Sequence, residues 1–190
     1  MKKYRFNISA GGVLLLAALY FFMDTSSFVA LMLAAAAHEL GHIAALRLCG
    51  ARIRGFSADM GGAVISRSGG LSAAQELVCL AAGPGGGLIY ALAVSFVGGG
   101  VLLCSAGMSL VLSFFNLLPC LPLDGGRMVE TVFGEKTAAL CGLITASAVF
   151  VTGFALFTGG SGPALFFAGA ILLVKNISVS YTHLRAHETL

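Results

Sequence analysis

The chain has 190 residues, of which 58% are hydrophobic and only 10% are charged, and its mean hydropathy is +0.96. Soluble domains contain about 25% charged residues, so this composition excludes an ordinary soluble domain. It predicts an all-α polytopic membrane protein. The formal net charge of +3 carries less information than the positions of the basic residues.

Six apolar stretches predict about six transmembrane helices, and the basic run before the first stretch resembles the start of a signal peptide. No small-residue cleavage site follows, so we interpret the first stretch as a retained span. Short alternating segments on both sides of Gly61 and Gly62 predict a small cytoplasmic β-hairpin, with a solvated loop as the alternative. The six stretches lie at about Ile8–Phe22, Phe28–Leu48, Ala73–Val97, Val101–Leu118, Thr137–Phe157 and Pro163–Val174.

The distribution of Lys and Arg predicts the orientation of the chain. With a cytoplasmic N-terminus and six crossings, the basic residues before residue 179 all fall on the cytoplasmic side. The loops on the other side contain neither Lys nor Arg. We therefore expect a multi-pass protein of the cell membrane. The cytoplasmic set is Lys2, Lys3, Arg5, Arg47, Arg52, Arg54, Arg67, Arg127, Lys136 and Lys175.

Residues 179–190 break abruptly from the apolar composition that precedes them. We interpret this segment as a translated sequencing adapter or cloning scar, so that the membrane-embedded domain comprises residues 1–178. His183 and His187 lie four residues apart beside Glu188, but we do not assign them a metal site because they belong to this segment.

The second apolar stretch contains the pattern His-Glu-Leu-Gly-His at residues 38–42. On a helix His38 and His42 project from one face and can bind the same metal ion. The carboxylate of Glu39 is then placed to take a proton from metal-bound water. Ionisable groups are costly inside a membrane, so we interpret the three as a functional site rather than a polar contact between helices.

A catalytic zinc ion usually has three protein ligands, and the third should be a carboxylate or a cysteine. Asp124 ends an apolar segment that Pro119 and Pro122 interrupt, and two flexible glycines follow it, so it could turn back toward the histidines. Asp124 lies three residues before Arg127, and His42 lies five residues before Arg47. Both ligands are therefore expected at a similar depth in the membrane, near the cytoplasmic side. We favour Asp124, with Cys120 as the alternative ligand.

These motifs together resemble the site-2 proteases, which are zinc metalloproteases of the membrane. The resemblance covers about Phe28–Arg127 and rests on the motif at residues 38–42, on Gly83-Pro84 in the third stretch, and on the segment from Asn116 to Gly126. Since the chain is short and has no PDZ domain, it looks most like the bacterial branch that includes the stage IV sporulation intramembrane protease.

The resemblance implies a role for each matching residue. Asn116 would bind the substrate backbone or polarise its carbonyl. The family often has Asn three residues after Gly-Pro, whereas this chain has Gly87, which puts substrate positioning by that helix in doubt. The implied residues are the zinc ligands His38, His42 and Asp124, the general base Glu39, and the substrate-binding residues Asn116, Gly83 and Pro84.

The implied activity is zinc-dependent cleavage of a transmembrane or membrane-associated client protein near the cytoplasmic face. The expected partners are this client, the lipid bilayer and a regulatory membrane protein, with no nucleic acid. Two alternatives are an inactive membrane scaffold and a metal transporter. A transporter would need ligands in both halves of the membrane, and the outward half has none. A scaffold would have no need of Glu39.

Overall fold

The computed structural model describes residues 5–59, 62–160 and 162–188. The chain divides into two compact units, Met1–Phe115 and Asn116–Leu190. The first unit contains four apolar helices and a small three-stranded sheet. Its helices are α1 (Ala10–Phe22), α2 (Thr25–Leu48), α3 (Ala73–Val97) and α4 (Gly100–Asn116, whose last residue opens the second unit), and its strands are β1 (Arg5–Ile8), β2 (Arg52–Asp59) and β3 (Gly62–Ser68).

The sheet has the order β1-β2-β3. Strands β2 and β3 pair antiparallel, so the predicted strand pairing is confirmed and the alternative of a plain loop is wrong. The cytoplasmic location of the hairpin stays a prediction. Strand β1 was not predicted and pairs in parallel with β2, with Arg5 opposite Gly55. Four residues have no recognisable periodicity of their own, and β1 is defined by its partner strand rather than by its composition.

Helices α2 and α3 pack closely because glycines line the contact. A methyl group at Gly41 would overlap the carbonyl of Ala82, and one at Gly86 would lie 3.0 Å from the Cα of Gly41 and 3.1 Å from the carbonyl oxygen of Ala37. Small residues of this kind let helix backbones approach each other within a membrane. The α2–α3 pair is therefore held at short backbone distance where Gly41 and Gly86 meet.

Side-chain caps define where α2 and α3 begin. The carboxylate of Asp24 accepts a hydrogen bond of 2.9 Å from the backbone N–H of Ser27. Hydrogen bonds from Ser27 hold the pKa of Asp24 below its ordinary value. Helix α3 begins with a reciprocal capping box between Ser72 and Gln75. Each cap satisfies backbone donors that the first helical turn leaves without a partner.

The second unit contains one helix that the sequence did not predict. Gly125 and Gly126 are not a flexible turn, as the sequence suggested, but lie within its first turn, where both are buried. Glycine is unfavourable inside helices, which hid this element. The helices of the unit are α5 (Asp124–Phe133), α6 (Glu135–Thr158) and α7 (Ala164–Glu188).

Helices α6 and α7 also pack through glycines. A methyl group at Gly153 would lie 2.6 Å from the backbone nitrogen of Phe166, and one at Gly169 would lie 2.6 Å from the Cα of Phe150. The rings of Phe150 and Phe166 have centroids 5.2 Å apart. This close packing places the side chains of α7 directly against α6.

Every predicted apolar stretch corresponds to a helix, with bounds that agree within a few residues except at the end of α7. Among the described residues, three helices are long and apolar enough to cross a membrane, namely α2, α3 and α6. Three further apolar segments are shorter: Ala10–Phe22, Gly100–Asn116 and Ala164–Ser178. The fold is mainly helical as predicted, strand β1 is an addition to the predicted hairpin, and the number of crossings stays a prediction.

Candidate metal centre

His38 and His42 project from one face of α2. Their Nε2 atoms are 3.2 Å apart, and their ring planes are inclined at 81°. His38 is only 5% exposed, and His42 is half-buried. The helical period alone produces this convergence, because side chains at positions i and i+4 lie one above the other. The predicted pairing of the two imidazoles is therefore observed.

The backbone of α3 fixes the tautomer of His42. Its Nδ1 lies 2.8 Å from the carbonyl oxygen of Cys79, and a carbonyl can only accept, so Nδ1 carries the proton. Nε2 of the neutral ring is then a lone-pair donor directed toward His38. Metal-ligating histidines commonly have this arrangement. No pattern in the sequence identifies Cys79, because its backbone oxygen makes the contact.

Gly83 provides the space that the His42 ring occupies. A methyl group at Gly83 would overlap Nε2, and it would also overlap Cε1. Pro84 follows within the helix and is fully buried. Gly83 of the Gly-Pro motif thus allows the His42 imidazole to pack directly against the α3 backbone. Substrate binding by Gly83 and Pro84, which the resemblance implies, stays a prediction.

Asp124 is the first residue of α5 and is 9% exposed. Before it lies the 117–123 loop (Leu117–Leu123), in which the N–H of Cys120 donates to Leu118 (2.7 Å) and the N–H of Leu123 donates to the Cys120 carbonyl (2.9 Å). A carboxylate in the first turn of a helix is stabilised by the backbone dipoles. The loop and the helix start together determine where this side chain lies.

His38, His42 and Asp124 form a group that could bind a metal ion. Each offers one ligand atom, and these atoms lie within 4.8 Å of one another. Zinc binds imidazole nitrogen at 2.0–2.1 Å, so tetrahedral ligands are about 3.3–3.4 Å apart, close to the observed 3.2 Å between the two Nε2 atoms. Two imidazoles and one carboxylate are also a donor set of catalytic zinc sites. The residues therefore fit zinc.

The other predicted residues have clear positions in their own elements. Glu39 is half-buried on α2, next to the first histidine, and Asn116 is the last residue of α4. A side chain at Gly87 would require the Ser113 hydroxyl to move, because a methyl group there would overlap Ser113 Oγ and lie 3.1 Å from Ser109 Oγ. Ser109 and Ser113 thus occupy the space next to position 87, where an Asn side chain would otherwise lie.

Cys120, the alternative ligand, is fully buried. Its Sγ accepts a hydrogen bond of 3.1 Å from Nδ2 of Asn176. It is not a member of the His/His/Asp group that the described residues form. Asn176 lies two residues beyond Val174, the predicted end of the sixth apolar stretch, and was therefore not predicted. An amide within an apolar helix was the signal that could have identified it.

Comparisons with known proteins show similarity to peptidases. Residues 99–160 match the family model "Peptidase family M50", an interval that includes Asn116 and Asp124 but not the histidine pair. The protein named "Putative zinc metalloprotease Rip3", from the Erdman and H37Rv strains of Mycobacterium tuberculosis, is 28% identical over 166 residues. That similarity covers 76% of this chain and 42% of Rip3, so the chain spans less than half the length of these relatives.

The fold of the chain is also similar to that of a solved structure. The chain is similar to the site-2 protease from Methanocaldococcus jannaschii, with a TM-score of 0.62 and 21% sequence identity over 88% of this chain and 85% of that one. At this identity the similarity shows a shared fold. The sequence similarities are to a peptidase family over residues 99–160 and to a protein named as a zinc metalloprotease.

Proposed function

We propose that the chain is a zinc-dependent intramembrane endopeptidase that cleaves a transmembrane or membrane-associated client near the cytoplasmic face. The observation that carries the proposal is the His/His/Asp group, whose histidines lie on a helix long and apolar enough to cross a membrane. Ionisable groups in such a helix cost free energy to bury in a membrane, so their presence indicates a function. A metalloprotease similarity in sequence and fold supports the same conclusion.

In this proposal His38, His42 and Asp124 hold the ion and Glu39 is the general acid and base. Zinc, when bound, supplies Lewis-acid chemistry, polarising a carbonyl and lowering the pKa of water. Glu39 accepts one proton from the attacking water and delivers it to the leaving amide nitrogen. Water is thereby consumed, the peptide C–N bond breaks, and a carboxyl and an amino terminus are formed.

The client segment must unwind before it can react, because a helical peptide bond is shielded by its own hydrogen bonds. We assign Asn116 to the unwound client backbone. Gly83 and Pro84 are buried, so in this proposal they act on the client indirectly, through the His42 ring that packs on Gly83. A weakened client helix is cut more readily than a stable one. Release of a cytoplasmic fragment would suit regulated proteolysis, for which the analogy to the stage IV sporulation branch is the support.

The topology that accompanies this function has the N-terminus in the cytoplasm and six crossings, with residues 1–178 as the membrane domain. The support is the one-sided distribution of Lys and Arg in the sequence. Short helices cross a bilayer where it thins locally or where flanking residues reach the interface. The lipid bilayer, the client and a regulatory membrane protein are the partners this function requires.

The decisive experiment measures zinc content and cleavage in the detergent-purified full chain and in Glu39→Gln. The probe is a labelled single-span peptide in vesicles, with a Gly-Pro pair near the cytoplasmic end of its span. We expect about one zinc per chain in both proteins and a loss of cleavage of about 10²–10⁴-fold in the variant. Glu135→Gln, a matched change at the exposed start of α6, should cleave normally.

Retained cleavage in Glu39→Gln would contradict the assigned mechanism. A folded parent with zinc but no cleavage of any single-span probe would favour the inactive scaffold. Zinc movement across vesicles that persists in Glu39→Gln would favour the transporter, because transport has no need of a general base.

A further inference from the structure

Asn176 is the largest fully buried side chain of the described part of the chain, at 1% exposure. Its Nδ2 lies 2.6 Å from the carbonyl oxygen of Leu121, 3.1 Å from Cys120 Sγ and 2.8 Å from the carbonyl oxygen of Leu172. An amide nitrogen has two hydrogens, so the three acceptors share them. Two of the acceptors belong to the 117–123 loop and only one to α7 itself.

Helix α6 closes the other side of this amide. A methyl group at Gly142 would overlap Oδ1 of Asn176 and would lie 3.5 Å from the backbone nitrogen of Leu121. The amide is therefore confined between the loop and a glycine that admits it. An asparagine in an apolar helix is costly to bury, and here its donors are directed at a segment more than fifty residues earlier in the chain.

The loop transmits this restraint to the start of α5. A methyl group at Gly125 would overlap the carbonyl of Leu117, and one at Gly126 would lie 2.6 Å from the backbone nitrogen of Leu121. The first turn of α5 thus rests directly on the loop backbone. A displacement of Leu121 cannot occur without moving this turn, whose first residue is Asp124.

We infer that Asn176 is a positioning residue for the metal centre: by binding the Leu121 carbonyl and Cys120, it fixes the loop that presents the Asp124 carboxylate. This inference rests on the proposed role of Asp124 as a zinc ligand. Residues that orient metal ligands without touching the metal typically change metal affinity by about 10–100-fold. We expect Asn176 to act within this range although it lies in α7, the last helix.

The test measures zinc affinity by chelator competition, the visible spectrum of the cobalt-substituted protein, and the melting temperature, in the full chain. Asn176→Leu keeps the branched shape of the side chain and removes the donors. We expect zinc binding weakened about 10–100-fold and a changed cobalt spectrum, since coordination geometry is altered. The control is Leu172→Ala, a buried residue one turn away, which should lower the melting temperature and leave affinity and spectrum unchanged.

Gly142→Ala disturbs the same contact from α6 and decides the question if Asn176→Leu does not fold. Parental affinity and cobalt spectrum in a folded Asn176→Leu, or in Gly142→Ala, would overturn the inference, as would an equal loss of affinity in Leu172→Ala. Asp124→Ala separates this inference from the proposed function. If Asp124→Ala keeps the parent's zinc affinity, the ligand assignment fails; if it loses zinc while the Asn176 and Gly142 variants do not, only the positioning role fails.

Discussion

The two regions that supply the metal ligands hold them in different ways. On α2 the helix itself places His38 and His42, since four residues make about one turn, and one carbonyl of α3 then fixes the ring of His42. Asp124 follows an irregular loop, and its position depends on contacts of that loop with Gly125, Gly126 and Asn176. The histidines are thus placed mainly by contacts close in sequence, whereas Asp124 depends on contacts with a distant segment.

This difference has a consequence for robustness. A helix that packs through Gly41 and Gly86 holds its ligands even when one surface contact is lost, because the helical hydrogen bonds remain. The 117–123 loop has no such periodic support, and its polar contacts come from separate elements. We therefore expect substitutions far from the metal to affect the Asp124 side of the centre more than the histidine side.

The largest expected effect comes from removing a ligand. His38→Ala and His42→Ala should each weaken zinc binding by more than about 100-fold, because even residues that only orient ligands change affinity by about 10–100-fold. Zinc content and chelator competition measure this loss. The matched control is His183→Ala, which should retain zinc. Zinc lost in His183→Ala and kept in His38→Ala would reverse the assignment of the metal site.

The same difference explains what the sequence could predict. The spacing of His38 and His42 requires only the helical period, and the long apolar stretches predict their helices. Asp124 could be named from its motif, but α5 could not, because Gly125 and Gly126 resemble a turn. Strand β1 and the Asn176 contact depend on pairing between distant segments, and one sequence alone contains no measure of such pairing.

A second prediction compares two glycines in one turn of α3. Gly83→Ala places a methyl group against the His42 ring, whereas nothing lies within 4 Å of a methyl group at Gly85. Overpacking of this kind costs about 1–3 kcal/mol, so we expect Gly83→Ala to lower the melting temperature and weaken zinc binding. Gly85→Ala should be neutral or slightly stabilising, because alanine is the better helix former. Equal zinc affinity in the two variants would show that the ring moves freely.

A smaller effect is expected where α3 meets α4. Ser109 donates a hydrogen bond of 2.9 Å to the carbonyl of Gly87, and a methyl group at Gly87 would overlap Ser113 Oγ. We expect Gly87→Ala to destabilise the fold by about 1 kcal/mol and Ser113→Gly to relieve part of that cost in the double variant. Thermal unfolding of all four proteins measures the coupling. Purely additive effects would mean that Ser113 does not limit position 87.

The smallest prediction concerns the start of α2, away from the metal centre. Hydrogen bonds from the Ser27 side chain and backbone lower the pKa of Asp24 from its ordinary value of 3.8. Because the folded pKa is the lower one, the stabilisation is present above pH 3.8 and is lost as the pH falls through the lowered value. Asp24 is exposed, so the effect should be confined to fraying of the first turn. The amide resonance of Ser27 should report the transition. Asp24→Asn keeps a capping side chain without an ionisable group and should show none, so the same transition in that variant would assign it to another group.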